Sequence, residues 1–277
     1  MTQKSILITG CSSGIGLDAA QGLKARGWRV FASCRQQADC TRLRAMGFES
    51  PRLDYADGGS IKSALAEVLA ATGGTLDVLF NNGAYAAPGA AEDLPADALR
   101  AIFETNVFGW HDLTTRVIPV MRAQGHGRIV NHSSVLGLVV QPWRAAYNTS
   151  KFAIEGLTDT LRLEMRDTPI HVITLNTGPV TSKIRVNAIP HFEKWIDWKA
   201  SPRADQYRET LLPRLYEDNG PDRFELPPSA VTAKLIHAVE ASRPKPRYYI
   251  TTPTYISGMA RRLLSTRALD WLLTKGS

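Results

Sequence analysis

The sequence predicts an α/β protein built on a doubly wound parallel sheet with helices on both faces. Three observations lead there. Short, β-branched apolar runs alternate with longer segments of helical period, and a glycine-rich loop follows the first run directly. The 277 residues also pass without a Pro/Gly/Ser-rich linker, so one domain spanning 1–277 is expected.

Taken in order, SILIT (5–9) reads as a strand, 15–26 as a helix, WRVFAS (28–33) as a strand, 36–46 as a helix and PRLD (51–54) as a third strand. A helix near 60–71 leads to the strand LDVLFN (76–81), a long helical tract covers about 95–123, and GRIVNHS (127–133) is again a strand. A helix after Tyr147 and the strand IHVITLN (170–176) continue the series. Right-handed crossovers between parallel strands turn such a series into a doubly wound sheet. From about 181 to 228 the pattern breaks into a stretch rich in Pro, Trp and Tyr, expected to be either a functional lid or a surface excursion packed by its own aromatics. SAVTAKLIHAVEASRP then reads as a helix stopped by Pro244, RYYITTP as the last strand, and about 254–274 as an amphipathic tail with an Arg-rich face. That tail has two readings: packing on the domain or a subunit partner, and peripheral contact with an anionic membrane surface.

Bulk properties narrow the function classes. With 44% hydrophobic and 21% charged residues the chain is an ordinary globular protein, not a disordered one. The net charge of +7 is dispersed, with no basic block or nucleic-acid motif, and suits a phosphate-bearing small ligand or an anionic surface. Cys11, Cys34 and Cys40 have no CxxC spacing, which fits a reducing cytoplasm. Cys11 and Cys34 follow strands expected to be neighbours, where filler is the main reading and an oxidation-sensitive pair the other. No signal-peptide pattern opens the chain and no run approaches the roughly 18 apolar residues of a membrane span. His191 and His237 lack metal-ligand spacing and read as surface residues.

Thr9–Gly16, TGCSSGIG, lies at a strand-to-helix junction. Gly10, Gly14 and Gly16 permit a tight turn and close backbone approach to a pyrophosphate, with Ser12, Ser13 and Ile15 between them and N–H groups at the helix start favouring its charge. The spacing is GxxxGxG and not the generic GxGxxG, but the position favours a dinucleotide site of Rossmann type. At the tip of the second strand, FASCRQQ offers no carboxylate for a ribose 2′-hydroxyl. Arg35 there suits a 2′-phosphate, with Ser13 and Ser33 as further donors, so NADP(H) is expected in preference to NAD. Asp54 ends the third strand, placed either to accept from the adenine amino group or to make a turn.

Tyr147 and Lys151 in YNTSK stand one helical turn apart and so on one helix face. In order, the segments TGxxxGIG, NNGA, SSVLG, YNTSK and GPV resemble the short-chain dehydrogenase/reductase family over nearly the whole chain. The lid and tail look most like its NADP-dependent branch of 17β-hydroxysteroid and retinol dehydrogenases and bacterial aldehyde reductases. The resemblance implies a seven-stranded sheet, hydride transfer and a homodimer or homotetramer. It also implies that Tyr147 is the proton donor or base, Ser134 binds the reacting oxygen with Ser133 beside it, Lys151 binds the nicotinamide ribose, and Asn106 supports a water and proton relay. Asn82, Gly83, Gly178, Val180 and Ser182 match cofactor-contacting positions. Two departures stand out: NNGA (81–84) where NNAG is usual, and Thr177 and Ser182 where Pro and Thr are usual.

For Tyr147 to act as a base near neutrality, its pKa must fall from about 10 to near 7, worth about 4 kcal/mol. A lysine charge at about 5 Å supplies on the order of 3 kcal/mol at an effective dielectric of 20, and oxidised nicotinamide adds a second positive charge, so that the two together can supply the shift. Val139 and Trp143, with the lid's Trp195, Trp198, Tyr207, Leu211, Leu212 and Tyr216, suggest an apolar pocket for a bulky carbonyl or alcohol, or else a lid packed on itself. The expected activity is NADP(H)-dependent oxidoreduction of a lipophilic aldehyde, retinoid or ketosteroid. NAD-linked alcohol oxidation and a non-catalytic NADP-sensing module are the alternatives.

Overall fold

In the computed structural model, which describes residues 3–217 and 220–275, the chain runs β1 (Ser5–Ile8), α1 (Gly14–Ala25), β2 (Arg29–Ala32), α2 (Gln37–Ala45), α3 (Gly58–Thr72) and β3 (Val78–Asn81). It continues through α4 (Ala96–Phe103), α5 (Gly109–Gln124), β4 (Gly127–Ser134), α6 (Ala145–Glu164) and β5 (Ile170–Thr177). The last third holds α7 (Ile184–Trp195), the short α8 (Ala204–Gln206) and α9 (Leu212–Tyr216), α10 (Ser229–Glu240), β6 (Arg247–Ile250), α11 (Thr252–Leu263) and α12 (Thr266–Lys275). The stretch 181–228, expected to lack periodicity, is thus largely helical.

Among the described residues six parallel strands form one sheet in the order β2-β1-β3-β4-β5-β6. A seventh was expected, and PRLD was expected to be a full strand. The 49–53 segment does lie beside β2, but only through isolated bridges Phe31–Glu49 and Cys34–Arg52. Pro51 has no N–H to donate between them, so the ladder cannot become continuous.

Alternation along the strands sorts the core into two layers. Ile6 and Ile8 of β1 face a cluster containing Leu23 of α1, Leu43 of α2 and Leu235 of α10. Leu7 between them faces Ile61 of α3, Trp110 of α5 and Ile154 of α6. The carboxyl ends of β1, β3, β4 and β5 therefore open onto one rim, where an open α/β sheet places its ligand.

A polar clamp fixes α6 against the far side of the sheet. Glu155 accepts from Asn176 Nδ2 at 2.6 Å and pairs with Arg247 of β6, which also donates to Asn176 Oδ1 at 2.8 Å and Asp159 Oδ1 at 3.1 Å. The Glu155 side chain is only 10% exposed and that of Asp159 is 45% exposed. Glu155→Ala, which removes the more buried of the two carboxylates paired with Arg247, is expected to cost about 3 kcal/mol. Asp159→Asn should cost under about 1 kcal/mol. Urea unfolding monitored by circular dichroism measures both.

Candidate active site

The glycine cradle is built by close packing of backbone. Gly10 has φ of 71°, and a side chain there would strike Gly83 Cα at 2.6 Å; one on Gly16 would strike the Gly10 carbonyl oxygen at 2.3 Å. The β1 and β3 loops thus meet with no room for a Cβ. Gly14, φ 56°, opens α1 and faces Ser182, while Ile15 packs on the core. Ser13 occupies the N-cap position without capping, and no acidic residue stands in the first turn of α1. Unclaimed N–H groups on a positive helix end fit the pyrophosphate of a dinucleotide.

His132, which no sequence pattern singled out, ties three strand ends together below this cradle. Its Nδ1 lies 2.8 Å from Asn82 Oδ1 and its Nε2 2.7 Å from Thr177 Oγ1. Because Asn82 Nδ2 already donates to the Thr9 carbonyl at 2.8 Å, the oxygen is left to accept. The network therefore assigns His132 Nδ1–H as donor to Asn82 and Thr177 O–H as donor to Nε2. Burial and the nearby Lys151 charge push His132 down to about 3, so the ring is neutral, as this pattern requires. Thr177 thereby has a physical role where proline would offer no hydroxyl. Gly178 follows, too close to Thr251 to carry a side chain, and Val180 pairs with Leu226.

Ser134 ends β4, and Tyr147 and Lys151 lie in the first two turns of α6. Ser134 Oγ accepts from Leu136 N at 3.1 Å and donates to the Thr177 carbonyl at 3.3 Å. Ser133 is buried with its Oγ unpaired. Lys151 is 2% exposed, donates to the His132 carbonyl at 2.8 Å, and holds its Nζ 4.5 Å from the Trp110 ring centroid and 5.5 Å from that of Tyr147. Desolvation pulls Lys151 down to about 7, against the favourable charge of Glu155. It pushes Tyr147 up to about 12, with Ser134 and then the Arg144 charge acting in the opposite direction.

The expected lowering of the phenol needs oxidised nicotinamide as well as lysine, and the cofactor-free chain represents the state without it. Both groups are buried, and desolvation is the largest influence on each. A protonated phenol beside a half-charged amine is poised to give a proton, not to take one.

Asn106 is fully buried in a π-turn over 104–108 that joins α4 to α5. Its amide accepts from Tyr85 N at 3.1 Å and donates to the Tyr85 carbonyl at 2.9 Å and to Ser150 Oγ at 3.2 Å. Arg35 is exposed at the tip of β2, and its carbonyl accepts from Arg52. Arg42, a second cation that sequence reasoning passed over, reaches back from α2 to the Ser12 carbonyl at 2.5 Å. Asp54 Oδ1 accepts from Ala56 N at 3.1 Å, the turn arrangement anticipated as its alternative. Ser12 and Ser33 lie in the same region, Ser33 buried and donating to the Ile8 carbonyl. The three thiols are buried and free; burial raises Cys11 strongly and Cys34 to about 12, which suppresses thiolate chemistry.

The aromatic lid closes mainly on itself. Tyr207 is buried, with its hydroxyl donating to Asp93 at 2.8 Å and accepting from Ala90 N at 2.8 Å. Around it pack Trp143 at 4.8 Å between centroids, Trp195, Trp198, Leu211 and Leu212. Tyr216 is half exposed and bonds Glu193. His191, expected on the surface, is half-buried and stacks on Tyr85 at 3.9 Å, joining the lid to the β3 loop; His237 is exposed and meets Tyr248. Val139, expected in the substrate pocket, is covered by Ala260 of α11 and Leu269 of α12.

Lys151 yields a pH test. Its native pKa lies below its unfolded value, so between about 7 and 10.5 the unfolded state binds more protons and stability rises with pH. In the cofactor-free protein, the melting temperature of Lys151→Met minus that of wild type should therefore be larger at pH 6 than at pH 9, read by calorimetry.

A family model for short chain dehydrogenase matches residues 4–191. The chain is 37% identical over 272 residues to the uncharacterized oxidoreductase YbbO of Escherichia coli (strain K12), covering 98% of this chain and 94% of that protein. It is 28% identical over 283 residues to the NADPH-dependent 3-dehydrocapnine reductase of Ornithobacterium rhinotracheale, covering 97% and 95%. A solved short-chain dehydrogenase/reductase from Burkholderia phymatum, in complex with NAD, superposes with a TM-score of 0.78 at 26% identity over 98% of this chain and 95% of that one. A match across most of the chain, on a sheet whose rim joins a glycine cradle to Ser134, Tyr147 and Lys151, places this protein in the short-chain dehydrogenase/reductase family as an oxidoreductase that works with a nicotinamide cofactor.

Proposed function

We propose that the protein is an NADP(H)-dependent reductase of lipophilic carbonyl compounds. The observation that carries this reading is the convergence of Ser134, a protonated Tyr147 and the buried Lys151 beside the cradle of α1. A dinucleotide held by this cradle would supply a hydride to the carbonyl carbon. Ser134 donates a hydrogen bond to the carbonyl oxygen as negative charge develops there, and the Tyr147 hydroxyl gives its proton to that oxygen, so C=O becomes CH–OH. Lys151, fixed on the His132 carbonyl, orients the ribose and then stabilises the phenolate left on Tyr147.

NADP(H) is favoured over NAD(H) because no carboxylate stands at the tip of β2, where Arg35 is exposed and Arg42 approaches the cradle. The relative named as NADPH-dependent supports the same choice. With purified protein and long-chain aldehydes, NADPH should be consumed in preference to NADH. Tyr147→Phe should lower the rate by roughly 10²–10⁴-fold with NADPH affinity retained. Preference for NADH would leave the NAD-linked alternative, and tight NADPH binding without turnover the sensing module.

The C-terminal helices fit a lipid-borne substrate. While their inner face covers Val139, Tyr255, Ile256, Met259 and Leu263 form an outward stripe on α11, with Met259 62% and Leu263 76% exposed. Arg261, Arg262 and Arg267 border it and make no ion pair with any described residue. An anionic phospholipid surface complements that pattern. The protein should cosediment with phosphatidylcholine/phosphatidylglycerol vesicles and not with phosphatidylcholine alone, and Met259→Glu/Leu263→Glu should weaken partitioning roughly tenfold or more.

A further inference from the structure

Arg144 immediately precedes α6, three residues before Tyr147, and follows a residue with a strained backbone. Trp143 adopts φ of 64°, a left-handed conformation that a bulky residue seldom takes. Its ring packs on Tyr207, its carbonyl accepts from Gly89 N at 2.9 Å, and Arg144 itself bridges to Gly89. Packing and pairing together hold a conformation that aims the next side chain. Strain retained in this way beside a reacting group points to a task for the residue it aims.

The Arg144 guanidinium is half-buried yet has no hydrogen bond or ion pair with any described residue. Its nitrogens are not among the buried, unpaired polar atoms, so they face space that solvent or a ligand enters. Among the described residues, the charges around it do not supply a counter-ion. Arg185 and Arg214 share Asp222, at 3.1 Å and 2.8 Å, and Glu225 is taken up by Asp222 N and Thr181. Burial and the charge of Arg214 both disfavour the cationic form of Arg144, while Tyr147 and Asp222 favour it. Arginine does not shed its proton, so a half-buried, unpaired guanidinium is stabilised by an incoming anion, and its planar fork suits an oxyanion bidentately. Arg144 stands at the N-cap of α6, three residues before Tyr147, close enough for its charge to act on the phenol.

We infer that Arg144 is a specificity-determining residue which binds an oxyanion, most simply a carboxylate, carried by the substrate a few bonds from the carbonyl reduced at Tyr147. The substrate class is then an amphiphilic oxo acid, its chain lying against the Trp143 side of the lid. The inference rests on the reductase reading for the chemistry at Tyr147, but binding tests it separately.

Decanoate and 1-decanol, titrated calorimetrically into NADPH-saturated and cofactor-free wild type, Arg144→Met and Arg144→Lys, form the first arm. Reduction of 4-oxododecanoate and its methyl ester forms the second. Decanoate should bind wild type at least tenfold tighter than decanol, with the advantage lost in Arg144→Met and partly kept in Arg144→Lys. KM for the oxo acid should rise in Arg144→Met while that for the ester stays. That binding pattern without turnover of either oxo compound would support Arg144 as the anion site and sink the reductase reading alone. Equal affinity for decanoate and decanol, or an advantage that survives Arg144→Met, overturns the inference whether or not turnover is seen. An equal fall in rate for acid and ester with a shifted pH profile also overturns it, since Arg144 would then only tune Tyr147. Melting temperature and NADPH affinity of each variant report that the fold is intact.

Discussion

The site depends on one buried hydrogen bond, from the Lys151 ammonium to the His132 carbonyl. It fixes the start of α6 to the end of β4, which sets Tyr147 beside Ser134. Burying an amine has a cost, and the protein meets it with the His132 carbonyl, the face of Trp110 and the carboxylate of Glu155 one turn on. Glu155 in turn is held by Asn176 and Arg247, so β4, β5, β6 and α6 share a single polar chain. Its members lie far apart in sequence, and loss of any one leaves a buried group without its partner.

Desolvation also sets the charge states of Tyr147 and Lys151. A lysine lowered toward neutrality and a tyrosine raised well above it form a resting state with the proton on the phenol. The carbonyl reduction proposed above needs that state. His132 contributes by staying neutral, since a second charge so close to Lys151 would depress the amine further. Its bonds to Asn82 and Thr177 leave the cofactor cradle and the β5 loop mechanically joined through an uncharged ring.

The substrate recognition proposed above draws on the less regular part of the chain. Tyr207, buried at the centre of the lid, binds the Ala90 amide and Asp93 while organising Trp143, Trp195 and Trp198. The aromatics thereby act first as structure, and their arrangement sets the direction of Arg144. Apolar packing and an unpaired cation side by side are the basis on which an amphiphile is proposed in preference to a purely apolar ketone.

The parallel sheet, the glycine cradle and the pairing of Tyr147 with Lys151 on one helix face were legible from the sequence alone, while Ser134 was singled out only by family resemblance. Each rests on local pattern: two-residue and 3.6-residue periodicity, glycines that admit close backbone approach, and a four-residue spacing on a helix. Tertiary structure decided the rest. The shortened strand at Pro51, the His132 bridge to Thr177, the closure of the lid on Tyr207 and the unpaired state of Arg144 depend on contacts between distant segments. So does the direction of the Tyr147 shift, because a pKa follows how much water packing removes, and periodicity carries no record of that.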